Sequence, residues 1–220
     1  LKRVVSPHIS SFFHDLHSGK GAELYCGTGV TSIEGVNGRV AAVKLADGSE
    51  IPCDLVLSAV GAVPNAELAD AAGLDVDDGV LVDGAGQTSH EDVYACGDCV
   101  RFFSERYGRS IRLESVQNAI DQAKAVASAL TDPDHDHSHD YDPLPWFWSD
   151  QHHVKLQIAG LSNGYDEAVL VGDTSTDSFY VAYLEKGKLI AVDSINHPRS
   201  HMMARRAIGQ TWEEGLLPPA

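Results

Sequence analysis

Val93-Tyr94-Ala95-Cys96-Gly97-Asp98-Cys99 opens the stretch on which the reading of this chain turns, and Glu114-Ser115-Val116-Gln117-Asn118-Ala119 carries it on towards Ala129. Val93 to Ala95 is a short apolar run with β propensity. Gly97 stops it and lets the backbone turn without a Cβ clash. Asp98 is thereby expected just past a strand end, where open α/β sheets put the groups that touch ligands. Downstream, Val116, Ala119, Ile120, Ala123, Ala127 and Leu130 keep helical spacing and predict a long helix from about Glu114. A carboxylate placed between that strand and that helix can accept hydrogen bonds from sugar-like hydroxyls. The helix N-terminus offers unpaired N–H groups to an electron-rich ring or a phosphate. A Gly-Asp pair by itself is more often a turn cap; the helix and the aromatic run at Trp146-Phe147-Trp148 weigh towards the ligand.

The rest of the chain bounds the answer. Its 220 residues make one large or two modest domains, and a hydrophobic content of 43% is enough for real cores. Sixteen Lys plus Arg against 32 Asp plus Glu give a formal charge of -16. That balance argues against nucleic acid and against an acidic membrane surface as partners. No apolar run has the length of a membrane span and no basic-then-apolar signal opens the sequence; with its sparse cysteines, the cytoplasm is the expected compartment. Cys26, Cys53, Cys96 and Cys99 are too few for a disulfide scaffold. Cys96-x-x-Cys99 is either a redox or zinc half-site or a by-product of the Gly97-Asp98 motif. No second ligand pair follows and the middle residues already have a role, which favours the by-product. No metal ligand and no catalytic acid or nucleophile is expected. Asp132 to Asp142 reads as a solvated linker; its His135, His137 and His139 are the one tract with loose zinc or nickel affinity.

In order, Ser6-Pro7 caps and opens a helix with Ile9, Phe12, Phe13 and Leu16 on one face, ended by Gly19 or Gly21. Strands are expected around Glu23 to Cys26, Val30 to Glu34, Val40 to Leu45, Ser49 to Pro52 and, as a buried run, Leu55 to Val60. Asn37-Gly38 and Asp47-Gly48 are turns. Gly27-Thr28-Gly29 is also a turn, since no third glycine and no helix follow it. Asn65 is expected to cap a short helix through Ala72, closed by Gly73, with a strand at Val80 to Val82. The last part predicts strands at Val154 to Ala159, Ala168 to Val171, Phe179 to Glu185 and Leu189 to Asn196. Lys186-Gly187 sits at a hairpin there, and a helix follows from Arg199 to Ile208.

The motif at Asp98, the Glu114 to Ala119 run and Trp146-Phe147-Trp148-Ser149-Asp150-Gln151 together resemble the ferredoxin reductases that serve oxygenases. These are flavoproteins with two dinucleotide-binding domains, in the pyridine nucleotide-disulfide oxidoreductase superfamily. The resemblance implies an α/β fold, a partial two-dinucleotide-binding-domain flavoprotein, followed by an α+β C-terminal domain with an antiparallel sheet. It implies 1–60 as the C-terminal part of an NAD(P)-binding domain, 61–138 as that of an FAD-binding domain, and 139–220 as the reductase C-terminal domain. Both glycine fingerprints of the family lie upstream of its Asp98-like motif and neither is present, so the chain is expected to begin inside the nicotinamide domain and to hold FAD poorly alone.

By the same resemblance Asp98, after Gly97, binds the ribityl chain of FAD. Val116 offers its backbone N–H to the flavin's pyrimidine edge, and Trp148 lies beside the isoalloxazine on the partner side, while Trp146 is core. Gly61, in Val60-Gly61-Ala62-Val63-Pro64-Asn65, either lies near the nicotinamide or simply ends a strand. The implied reaction passes a hydride from NAD(P)H to FAD and then single electrons to a [2Fe–2S] ferredoxin or a rubredoxin. An acidic partner would dock on Lys124, Arg199, Arg205 and Arg206. The alternatives are an NADH oxidase or CoA-disulfide reductase type of flavoprotein, and a non-catalytic metal-binding protein built on the histidine tract.

Overall fold

A computed structural model describes residues 5–131 and 141–220. They divide into two compact units: Ser11–Ala62, and Val63–Ala220 together with the segment up to Ser10. Helix α1 (Pro7–Gly19) runs from one into the other. Ser6 caps it as expected, its Oγ accepting from the Ile9 amide at 3.4 Å, with Pro7 as the first helical residue.

The smaller unit is a meander of three antiparallel strands, β1 (Val30–Val36), β2 (Arg39–Leu45) and β3 (Glu50–Pro52), in that order. Asn37 (φ 53°) and Gly38 (φ 76°) both sit at positive φ, the geometry of a two-residue hairpin turn whose twist matches the strands. Asp47 accepts from the Ser49 amide at 2.9 Å and shapes the second turn. Two expected strands are absent. Glu23 to Cys26 is irregular, with Gly27 turning at φ 87° before β1 begins. Leu55 to Val60 forms no strand either, and Leu55, Leu57 and Val60 are 84%, 88% and 94% exposed. A doubly covered strand needs neighbours on both edges and layers on both faces. The antiparallel meander offers this run neither.

The larger unit begins with α2 (Glu67–Ala71). Asn65 does not cap it: Ala66 holds the cap position and no side chain bonds the free amides. Gly73 (φ 79°) closes it as expected. A three-stranded sheet follows, of β4 (Val80–Val82), β5 (Val100–Ser104) and β6 (Arg109–Arg112), with β4 parallel to β5 and β5 antiparallel to β6. The β5–β6 hairpin was not anticipated, and Val93 to Ala95 is less than the expected strand. The latter run spends its backbone bonds locally, Ala95 N to Gly86 O and Thr88 N to Val93 O at 2.9 Å each, leaving one isolated bridge, Gln87 with Tyr94.

Helix α3 (Val116–Thr131) follows the hairpin, where the apolar spacing predicts a helix, and it turns polar residues inward. The apolar positions Val116, Ile120 and Leu130 are 59%, 50% and 60% exposed, while Asn118, Gln122 and Val126 face inward. Hydrogen bonding makes a polar inner face affordable. Asn118 Nδ2 donates to Leu113 O at 3.1 Å, Tyr141 OH donates to Asn118 Oδ1 at 3.0 Å, and Gln122 Oε1 accepts from the Gly97 amide at 2.8 Å.

The C-terminal part is a five-stranded antiparallel sheet in the order β7-β8-β11-β10-β9. Its strands are β7 (Trp146–Gln151), β8 (Val154–Gly160), β9 (Glu167–Asp173), β10 (Ser178–Glu185) and β11 (Lys188–Ile195). Four were expected, with the Lys186-Gly187 hairpin; β7 adds the fifth. Helix α4 (Pro198–Ala207) buries Ala204 and Ala207 in a core with Tyr180, Leu184, Leu189 and Val192. A buried polar chain crosses this unit. The Ser6 amide donates to Tyr183 OH at 2.8 Å, and Tyr183 OH donates to the Asp193 carboxyl. Burial pushes the Asp193 carboxyl up to about 7, the Tyr183 bond opposing it. Among the described residues no helix is long and apolar enough to cross a membrane. The histidines at 135, 137 and 139, and the expected boundary at 138/139, lie outside the described residues.

Candidate functional site

Asp98 sits in the turn between Gly97 and β5, with Gly97 buried at φ 91° and Asp98 exposed. Its carboxylate accepts no hydrogen bond from a described residue. Its backbone is fixed from two sides. Arg112 Nη1 donates to Asp98 O at 3.2 Å and also to the Glu114 carboxylate, and Arg112 Nε lies 3.5 Å from Asp78. Gln122 of α3 holds the preceding amide. One guanidinium therefore spans from the Asp98 turn to Glu114, two residues ahead of α3. The Asp98 turn is thus linked to the residues before α3 through Arg112 and to α3 itself through Gln122.

The start of α3 is itself a donor site. Ser115 Oγ accepts from the Asn118 amide at 3.1 Å, which satisfies the third turn position. The amides of Val116 and Gln117 precede any intrahelical acceptor, as in every helix, and the Val116 side chain is exposed. An exposed acceptor-only carboxylate thus lies on one side of the β5–β6 hairpin and a helix start with amides lacking intrahelical acceptors on the other. This is a fit for a polyol beside an electron-rich ring, the two ends of a flavin's ribityl–isoalloxazine half. These residues fit FAD on that ground.

Trp148 lies on β7 and is 42% exposed. Its indole rests on Trp146, two residues back on the same face, with ring centroids 5.5 Å apart. Trp146 is half-buried beneath the Arg205 guanidinium, 4.9 Å from its ring centre, and edge-on to His201 at 5.9 Å. His201 is buried; burial and then the Arg205 charge hold its imidazole down at about 4. The Asp121 carboxyl of α3 is held below its usual range by Gln117 first, then by Lys124 and the charge of Arg205. Lys124 Nζ is 3.4 Å from that carboxylate. Of the four cations expected to dock a partner, Lys124 and Arg205 thus share one carboxylate neighbour, while Arg199 and Arg206 are exposed elsewhere on α4.

Gly61 belongs to the smaller unit. It is exposed at φ 108°, with no described protein atom within 4 Å of where a Cβ would stand, so within the chain it is the backbone conformation that calls for glycine there. Cys96 and Cys99 are free thiols, Cys99 Sγ lying 3.8 Å from Cys96 O. Among the described residues no group of three or more His, Cys, Asp or Glu could hold a metal. Sequence reasoning missed Arg112, Gln122 and Asn118, the residues that fix the turn and the helix start. The spacing Arg112-x-Glu114 beside Ser115 was the one available signal.

Comparison with known proteins covers both parts. The family model of the pyridine nucleotide-disulphide oxidoreductases matches residues 1–123, and that of the reductase C-terminal domain matches 146–214. Putidaredoxin reductase CamA of Pseudomonas putida is 39% identical over 210 residues, covering 94% of this chain and 49% of that protein. The crystal structure of the ferredoxin reductase for the CYP199A2 system from Rhodopseudomonas palustris superposes with a TM-score of 0.88 at 46% identity, over 93% of this chain and 50% of that one. The covalent putidaredoxin reductase–putidaredoxin complex gives 0.85 at 38% identity, over 94% and 50%. The chain spans about half the length of the relatives it matches.

Proposed function

Since the chain belongs to the pyridine nucleotide-disulphide oxidoreductase family, we propose that it forms the flavin- and partner-facing part of an FAD-dependent NAD(P)H:ferredoxin or rubredoxin reductase. Its electrons would go on to an oxygenase. The observation that carries this reading is the free Asp98 carboxylate, in a turn whose backbone oxygen Arg112 ties to Glu114, two residues before α3. Residues 1–60 would complete a nicotinamide domain, 61–138 a flavin domain, and 139–220 the reductase C-terminal domain. The observed division at Ala62/Val63 lies close to the first of these boundaries. Cytoplasm is the compartment that suits such a reductase.

Bound FAD would accept a hydride from NAD(P)H and release electrons singly to an iron–sulfur partner. This chain's residues bind and orient. Asp98 accepts from the ribityl hydroxyls, and an ionised acceptor makes those bonds stronger than neutral ones. The Val116 amide, at the positive end of the α3 dipole, donates to the pyrimidine edge and favours negative charge there. Trp148, backed by Trp146, excludes water from the ring on the partner side. Gly61 would leave room for the nicotinamide. Lys124 and Arg205, with Arg199 and Arg206, would steer an acidic iron–sulfur protein to the same face.

The test is flavin retention and partner kinetics in the reductase that contains this chain. Asp98→Ala is expected to weaken FAD binding about 100-fold, the loss of charge-assisted bonds to a ligand; unchanged flavin content after gel filtration would refute the assignment. Lys124→Glu with Arg205→Glu is expected to slow ferredoxin reduction about tenfold at low ionic strength. Ferricyanide reduction, which needs no protein docking, should stay at the parent rate. An equal loss with both acceptors would place the effect at the flavin rather than at a docking face.

A further inference from the structure

Gln122 is 2% exposed, on the inward face of α3, and no step described so far uses it. Its Oε1 accepts from the Gly97 amide at 2.8 Å across 25 residues of chain. Gly97 stands at φ 91°, and Asp98 is the next residue. A buried N–H in a turn has no ladder partner; without the glutamine it would be orphaned or would turn the peptide to seek water. The same helix that presents the Val116 amide therefore fixes the Cys96–Gly97 peptide, from which the chain enters the Asp98 turn. The two ends of the candidate site are set by one rigid element.

We infer that Gln122 is a positioning residue for the cofactor: by holding the Gly97 amide it aims the Asp98 carboxylate at the ribityl hydroxyls. This rests on the flavin reading above. The coupling is geometric. Gln122 sits in the second turn of α3, so any shift of that helix carries the Asp98 turn with it, and the spacing of carboxylate to amides is preserved. Asn118, one turn earlier and equally buried, pins the other end by donating to Leu113 O, two residues before Ser115. A glutamine in this place reads in sequence as a solvated helix face, and only its burial reveals the task.

The test uses the flavin-loaded reductase containing this chain, with FAD dissociation constants measured by titrating the flavin-free protein. Gln122→Met keeps length and volume but removes the acceptor, and is expected to weaken FAD about tenfold. Gln122→Glu keeps an oxygen in place and should recover to within about threefold of the parent. In an Asp98→Ala background, Gln122→Met should cost less than about twofold, because a residue acting through Asp98 has nothing left to aim. A full tenfold loss in that background, or a Gln122→Glu protein as weak as Gln122→Met, overturns the inference while leaving the flavin assignment intact. An Asp98→Ala protein that keeps its flavin overturns both.

Discussion

Gly160→Ala is expected to cost about 2–5 kcal/mol of stability, a large share of the 5–15 kcal/mol that holds a typical domain. Two terms add. Gly160 stands at φ 77°, a conformation that costs a side-chain-bearing residue roughly 1–2 kcal/mol. A Cβ there would also run into the Ile190 carbonyl oxygen and come within 2.9 Å of Ile208 Cδ1 and 3.2 Å of Ala191 Cα. The obstruction is mostly backbone, in the strand paired with Gly160, so it cannot swing aside; forcing such a core adds about 1–3 kcal/mol. Gly164→Ala is the control, since Gly164 has φ 90° but open space around its Cβ position. Urea unfolding followed by tryptophan fluorescence should show Gly160→Ala well below Gly164→Ala. Equal losses would mean the sheet absorbs the methyl group and the packing account fails.

The second large effect is hidden in the parent protein. Asp193 has its folded value raised to about 7 from 3.8, so its contribution is complete below about 4 and lost as pH rises towards 7. His201 has its folded value lowered to about 4 from 6.5, so its contribution is present above 6.5 and lost as pH falls towards 4. Between about pH 4 and 6.5 the two slopes oppose each other: the folded state holds one extra proton at Asp193 and lacks one at His201. Asp193→Asn keeps an acceptor for Tyr183 and leaves His201 unopposed. That variant should lose about 3 kcal/mol between pH 6.5 and 4. His201→Leu should show the reverse slope over the same interval. Urea midpoints at several pH values in this range read both; two flat lines would dismiss the buried pair as the source.

What could be read from sequence follows a physical divide. The hairpins at Asn37-Gly38, Asp47-Gly48 and Lys186-Gly187 were legible because positive φ is a local demand that names its own residues. So was Ser6-Pro7, where cap and first turn lie side by side. The run at Leu55 to Val60 misled because a strand's existence depends on neighbours that its own residues do not encode. Val93 to Ala95 misled for the related reason that its partner, Gly86 to Thr88, lies close by and carries no strand pattern. On α3 the periodicity correctly gave a helix, but its apolar stripe is not the buried face. Apolar spacing reports an amphipathic stripe, not whether polar partners wait on the other side, and Leu113, Gly97 and Tyr141 do wait there. At the candidate site, Asp98 and Val116 were singled out through their motif. Their supports Arg112, Gln122 and Asn118 act across the fold, and side-chain type alone gave them no signature.

The bond from the Ser6 amide to Tyr183 has a consequence for the birth of the molecule. A ribosome makes Ser6 first and reaches Tyr183 only 177 residues later, which at 5–20 residues per second is about 10–35 s. Until then the first turn of α1 has no seat, however well its cap is formed. Helix α1 must wait as a nascent, reversible coil while the hydroxyl and carboxyl that will receive it are still being translated, so a segment made well before the C-terminal sheet locks only with it.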